Sequence, residues 1–194
     1  MAKKPEKPGH DPEKFEYASI HKQEYALTEQ REFTEMFLYS WIAFFLPFVL
    51  PQPQLVVGIT VNALLVLAAL NLKGYRLLPV ILLPSLGVLA SGFVFGVNNQ
   101  YLLYMIPFIW AGNALFVYLI KKAQLVKKMN RWLALGGAAI SKSALLFGAA
   151  FALVSISAVP AIFLTSMGIF QLYTAIGGGV AGFALHEVKK KLVA

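Results

Sequence analysis

Lys142 sits in the stretch ISKSALLFG, eleven positions after Arg131, with a serine on either side and apolar residues beyond. An ammonium is a point charge with three donors, and when deprotonated it is a base. Asn62, Asn113 and Gln171 each interrupt a different apolar run. At 1.5 Å of rise per residue, Lys142 lies roughly 15 Å from the inner end of its run, in an apolar layer about 30 Å thick. The same arithmetic places Asn62, Asn113 and Gln171 roughly 10 to 18 Å from the outer ends of theirs. Four strongly polar groups on four elements therefore share a similar depth.

An ammonium at the centre of a membrane span costs about 2.5 to 3.5 kcal/mol, which makes it a functional group by default. The competing explanation is that Lys142 snorkels to an interface, or is held by Ser141, Ser143 and the amides as helix glue. Taken singly, Asn62, Asn113 and Gln171 are better explained as staples between helices; their common depth makes the joint case for a site. No Asp or Glu lies within the apolar runs. A buried Lys142 thus calls for a deprotonated amine, carbonyl ligation or an anionic group on a bound molecule, and an anionic solute suits it best.

Other chemistries have little support. With no cysteine, disulfides, thiolate nucleophiles and Cys-based metal sites are excluded. No phosphate-binding loop, His-Glu zinc motif or Ser-His-Asp signature appears, and His10, His21 and His186 all lie at polar ends. The expectation is a protein that is not an enzyme and carries no cofactor or metal. GGGVAG, residues 177–182, has the spacing of a dinucleotide fingerprint, but that motif works only between a strand and a helix. Inside an apolar run it reads as helix packing, with Gly178 and Gly182 at small-xxx-small spacing.

The elements that must position these residues follow from composition. The 194 residues are 58% hydrophobic and 13% charged, whereas a soluble domain is roughly half apolar and a quarter charged. Six apolar segments predict an all-α membrane protein, a six-helix transmembrane bundle: residues 36–50, 55–72, 77–97, 101–120, 132–156 and 161–185. PQPQ ends the first, because two prolines remove backbone donors. KGYR, NNQ, KKAQLVKKMNR and SAVP end the next four, and HEVKKK closes the sixth.

Eight of the nine acids precede residue 36, and eleven basic residues follow it. Apart from Lys142, those eleven fall after segments two, four and six, while the loops after one, three and five are uncharged. Lys and Arg beside short loops mark the cytoplasmic side, so both termini are expected in the cytoplasm of a multi-pass cell-membrane protein. Trp41, Tyr75, Tyr101, Tyr104 and Trp132 near segment ends fit interfacial belts. The net charge of +8 is thereby an orientation signal, and nucleic acid is not expected as a partner. The chain divides into a polar N-terminal arm (1–35), a six-span domain (36–187) and a basic cytoplasmic tail (188–194). The first part of the arm is rich in proline and charge, as disordered segments are. From about Phe15 the pattern of Tyr17, Ile20, Tyr25 and Leu27 allows an amphipathic helix on the membrane or a partner.

The stretches LLPSLGVLASGFVFG, YMIPFIWAGNALFVYL, SKSALLF and MGIFQLYTAIGGGVAG resemble the membrane-embedded substrate-binding (S) components of energy-coupling factor transporters, with most likeness to a small iron-hydrogenase-like subgroup. The likeness covers about 150 residues. It implies a six-helix bundle that takes up a vitamin or other micronutrient from outside and works with a coupling membrane subunit and two ATPases. Asn113, Lys142 and Gln171 would then belong to the pocket side. Segment one departs from that pattern: the family docks through small residues there, whereas MFLYSWIAFFLPFVL offers only Ser40 and Ala43. The alternative expectation is a non-catalytic structural subunit holding a larger membrane complex together through its arm. A channel would need a continuous polar path, which one polar layer does not provide.

Overall fold

The computed structural model describes residues 20–24 and 26–193, so the proline-rich start of the arm, Tyr17 and Tyr25 lie outside it. Within residues 26–193 seven α-helices follow in chain order: α1 (Glu29–Val49), α2 (Gln54–Asn71), α3 (Leu77–Ser91), α4 (Leu102–Lys121), α5 (Arg131–Ser155), α6 (Ile162–Met167) and α7 (Ile169–Val193). Together with short 3₁₀ and π turns they form six segments long and apolar enough to cross a membrane. This is an all-helical bundle compatible with a multi-pass membrane protein.

Where the helices start and stop has local causes. Residues 22–24 and 26–28 carry no helix. α1 begins at Glu29, well ahead of the apolar run, because Thr28 accepts the amide of Arg31 at its N-terminus and Glu29 and Glu32 occupy the first turn. A side-chain cap and acids at the positive end of the helix dipole both favour that start. α3 stops short of the predicted residue 97: Gly92 takes a left-handed conformation at its C-terminus, a terminator few other residues adopt cheaply. The sixth segment, read from the sequence as one helix, is broken at Gly168 between α6 and α7.

All the charged loops gather at one end of the bundle. Arg76 is paired there with Glu29 at 2.9 Å and with the buried Glu32, Lys189 with Glu35, and Arg131 with Glu187 at 2.8 Å. Lys121 is buried and donates to the carbonyls of Ala69, Leu72 and Lys22 at 2.6 to 2.9 Å, which satisfies orphan oxygens at the C-terminus of α2. Glu24 lies 2.9 Å from His186 and 3.0 Å from Lys190, and its amide donates to Leu70 O at 3.0 Å. The described end of the arm is thus laid across its own bundle. Hydrogen bonding to His186 leads the effects that hold the Glu24 carboxyl down to about 2, with Lys190 adding to it.

The uncharged loops meet at the other end. Gln52 donates to Val94 O at 3.3 Å, and Phe95 stacks on Phe163 with ring centres 5.2 Å apart. Between the ends lie two apolar cores. One surrounds Leu65, Val66, Ala69, Phe116 and Ile120; the other surrounds Leu102, Met105, Leu146, Phe163 and Met167. The most extensive helix pair is α2 with α7. A Cβ on Gly178 would stand 2.5 Å from both Asn62 Cβ and Ile59 O, and one on Gly182 would stand 2.9 Å from Ala63 O. Bare Cα–H faces are what allow two membrane helices to approach this closely.

Candidate functional site

Lys142 projects from the middle of α5 into the bundle and is 2% exposed. Its Nζ donates to Asn62 Oδ1 at 2.7 Å and stands 5.3 Å from the centre of the Phe116 ring, within cation-π range. Asn62 in turn donates from Nδ2 to Gly58 O at 2.8 Å and to Thr174 Oγ1 at 3.3 Å. Thr174 Oγ1 donates to Gln171 O at 3.2 Å. The bonds run in one direction, from ammonium to carboxamide to hydroxyl to carbonyl, and join α5, α2 and α7. A chain of this kind polarises each successive member.

Asn113 reaches the same region from α4. Its Nδ2 donates to Ile81 O at 3.0 Å, one turn before Pro84 in α3. Proline removes one helical donor there, and neighbouring oxygens in that turn are taken by side chains. Trp110 Nε1 donates to Leu82 O at 3.1 Å and to Ser85 Oγ at 2.9 Å. Irregular or proline-bearing helix within a membrane persists where such partners satisfy the backbone.

Asn62, Asn113, Lys142 and Gln171 all line one cavity of about 90 Å³, which lies between the two apolar cores and reaches toward the uncharged loops through Gln54, Val94 and Phe95. That volume is several times the ~10–15 Å³ that admits one water. The remaining polar wall comes from Gln54, Ser85, Ser166 and Thr174, and among the described residues no Asp or Glu lines it. The described carboxylates of Glu24, Glu29, Glu32, Glu35 and Glu187 are all engaged at the charged end. The cavity therefore offers one lysine amine, several neutral hydrogen-bonding groups and apolar walls. Such a set complements a small anionic or carboxylate-bearing molecule. Among the described residues, no group of three or more His, Asp or Glu side chains is placed to hold a metal.

Sequence reasoning did not find Thr174, Ser166, Ser85 or Gln54. A weak signal existed for Thr174, which follows Gln171 by three residues and so shares its helix face. The break at Gly168 also went unread, although Ser166 and Met167 before it and Phe170 and Gln171 after it all line the cavity. A Cβ at Gly168 would meet Leu164 O at 2.7 Å, so a bare residue is needed where the chain turns.

No protein-family model, curated protein or solved structure matches this chain. Fold and site together define a class only: a bundle of six potential spans enclosing a small cavity with a buried lysine on its wall.

Proposed function

We propose that this chain is a membrane-embedded binding subunit for uptake of a small solute bearing an anionic group, working with a separate energy-coupling membrane subunit and its ATPases. The solute enters from the uncharged-loop side, and both termini face the cytoplasm. One observation carries the reading: the Lys142 ammonium is buried on a cavity wall without a carboxylate partner. A buried charge is costly until it is paired, so an anion that enters the cavity gains a charge-assisted bond. Lys142 is the anchor for that group. Asn62 holds the ammonium in place, and Asn113 and Gln171 flank the solute. The resemblance to energy-coupling factor S components supports the coupling partners. Ser40 and Ala43, the small residues of segment one, are buried in this bundle, so any coupling subunit meets α1 through its exposed aromatic face of Phe37, Trp41 and Phe45.

The test is mass spectrometry of small molecules released from the full-length protein after purification in mild detergent. Wild type is expected to carry a small anion. Removing one partner of a buried, hydrogen-bonded charge pair costs about 2 kcal/mol or more, roughly 30-fold in affinity, so Lys142→Met is expected to lose it. Asn62→Asp places a carboxylate beside the ammonium and is expected to expel the anion as well. Equal retention by wild type and Lys142→Met overturns the reading. Co-purified membrane subunits with no small molecule would favour the structural-subunit alternative.

A further inference from the structure

The turn between α4 and α5 is the most basic stretch of the chain, with Lys121, Lys122, Lys127, Lys128 and Arg131 and no acid. Three of these are committed within the bundle. Lys121 caps carbonyls of α2, Lys122 donates to Tyr118 Oη at 2.7 Å, and Arg131 pairs with Glu187. Lys127 and Lys128 are exposed, and among the described residues no carboxylate pairs with either. In the other two basic clusters most cations are paired: Lys73 and Arg76 are met by Glu29 and Glu32, and Lys189 and Lys190 by Glu35 and Glu24, which leaves the exposed Lys191.

Directly beneath Lys127 a groove of about 210 Å³ runs between α4 and α5, floored by Leu119, Ala123, Ala134, Gly137 and Ala138. From Leu133 to Ser141 on α5 it extends roughly 12 Å along the helix at 1.5 Å per residue. Its side is open. Leu133 is 70% and Met129 43% exposed, and a Cβ built on Gly137 meets nothing within 4 Å. A water-soluble anion would gain nothing from an apolar trough opening sideways. An amphiphile with a phosphate above and a hydrocarbon chain below matches both parts, and basic pockets between helices on the cytoplasmic side bind acidic lipid headgroups.

We propose that this groove is a binding site for an anionic glycerophospholipid, its phosphate on Lys127 and Lys128 and one acyl chain lying against Ala134, Gly137 and Ala138. The site is separate from the Lys142 cavity and does not depend on what that cavity holds. The test is native mass spectrometry of the full-length protein released from nanodiscs of equal phosphatidylglycerol and phosphatidylcholine. Wild type is expected to retain phosphatidylglycerol about 25-fold over phosphatidylcholine, and each exposed lysine removed is expected to lower that preference about fivefold. Lys127→Gln combined with Lys128→Gln should abolish it. Gly137→Leu, whose Cβ meets nothing within 4 Å, should occupy the groove and reduce retention of both lipids without lowering the thermal midpoint. Equal retention of the two lipids by wild type, a preference that survives the double lysine variant, or full displacement by excess inorganic phosphate would each overturn the proposal.

Discussion

Replacing Gly178 by alanine tests whether close helix approach positions the buried amide. The new Cβ would stand 2.5 Å from Ile59 O, 2.5 Å from Asn62 Cβ and 2.9 Å from Ala63 N, whereas ordinary contact is about 3.5 to 4 Å. Two of those three atoms are backbone and cannot rotate away, so α2 must retreat from α7 by about 1 Å. Asn62 lies at that contact. If its carboxamide moves with the helix, the 2.7 Å bond from Lys142 opens to about 3.7 Å, beyond hydrogen-bonding range. Overpacking costs about 1 to 3 kcal/mol, and a bond from a charged donor is worth about 1.5 to 3. The sum is about 2.5 to 6 kcal/mol, a fall of at least about 5 °C in unfolding midpoint for a chain of this size. The matched control is Gly136→Ala, whose Cβ meets nothing within 4 Å and which gains up to about 1 kcal/mol of helix propensity. Thermal unfolding of both variants in the same mild detergent measures the difference. Equal midpoints would show that the α2–α7 contact is not tight enough to set the position of Asn62, and the account of the site would fail with it.

Two further outcomes concern the charged end. Arg76→Met leaves the buried Glu32 with only the Lys73 amide at 3.0 Å and its ammonium at 3.9 Å and is expected to destabilise by about 3 kcal/mol, while adding Glu32→Leu recovers part of the loss, because the penalty comes from a buried charge that has lost its nearest partner; a double-mutant cycle of unfolding free energies checks this. The Glu24 carboxyl, held at about 2 in the folded chain against an ordinary 4.5, contributes stability that is complete above about 4.5 and is lost as pH falls toward 2. Midpoints of wild type and Glu24→Gln measured from neutral to acid pH should therefore differ at neutrality and converge near pH 2; a constant gap would refute the linkage.

Hydropathy and charge made the six long apolar segments legible, because a span must be about 20 apolar residues long and a break such as PQPQ or KGYR stands out against that run. Distance along each helix was legible too, since rise per residue is constant, and the four residues singled out that way, Lys142, Asn62, Asn113 and Gln171, all line one cavity. Rotation about each helix axis was not. In a soluble helix the apolar stripe marks the inner face, but here outward-facing and core-facing surfaces are both apolar, so Leu133 and Leu135 look alike although one is 70% and the other 3% exposed. Which side faces inward is decided by packing, through the bare faces of Gly178 and Gly182 against α2. The same holds for Thr174 as the relay beyond Asn62, for the chain break at Gly168 and for the pairing of Arg76 with Glu32 across 44 positions. These are contacts between residues far apart in the chain, and no pattern along one helix encodes them.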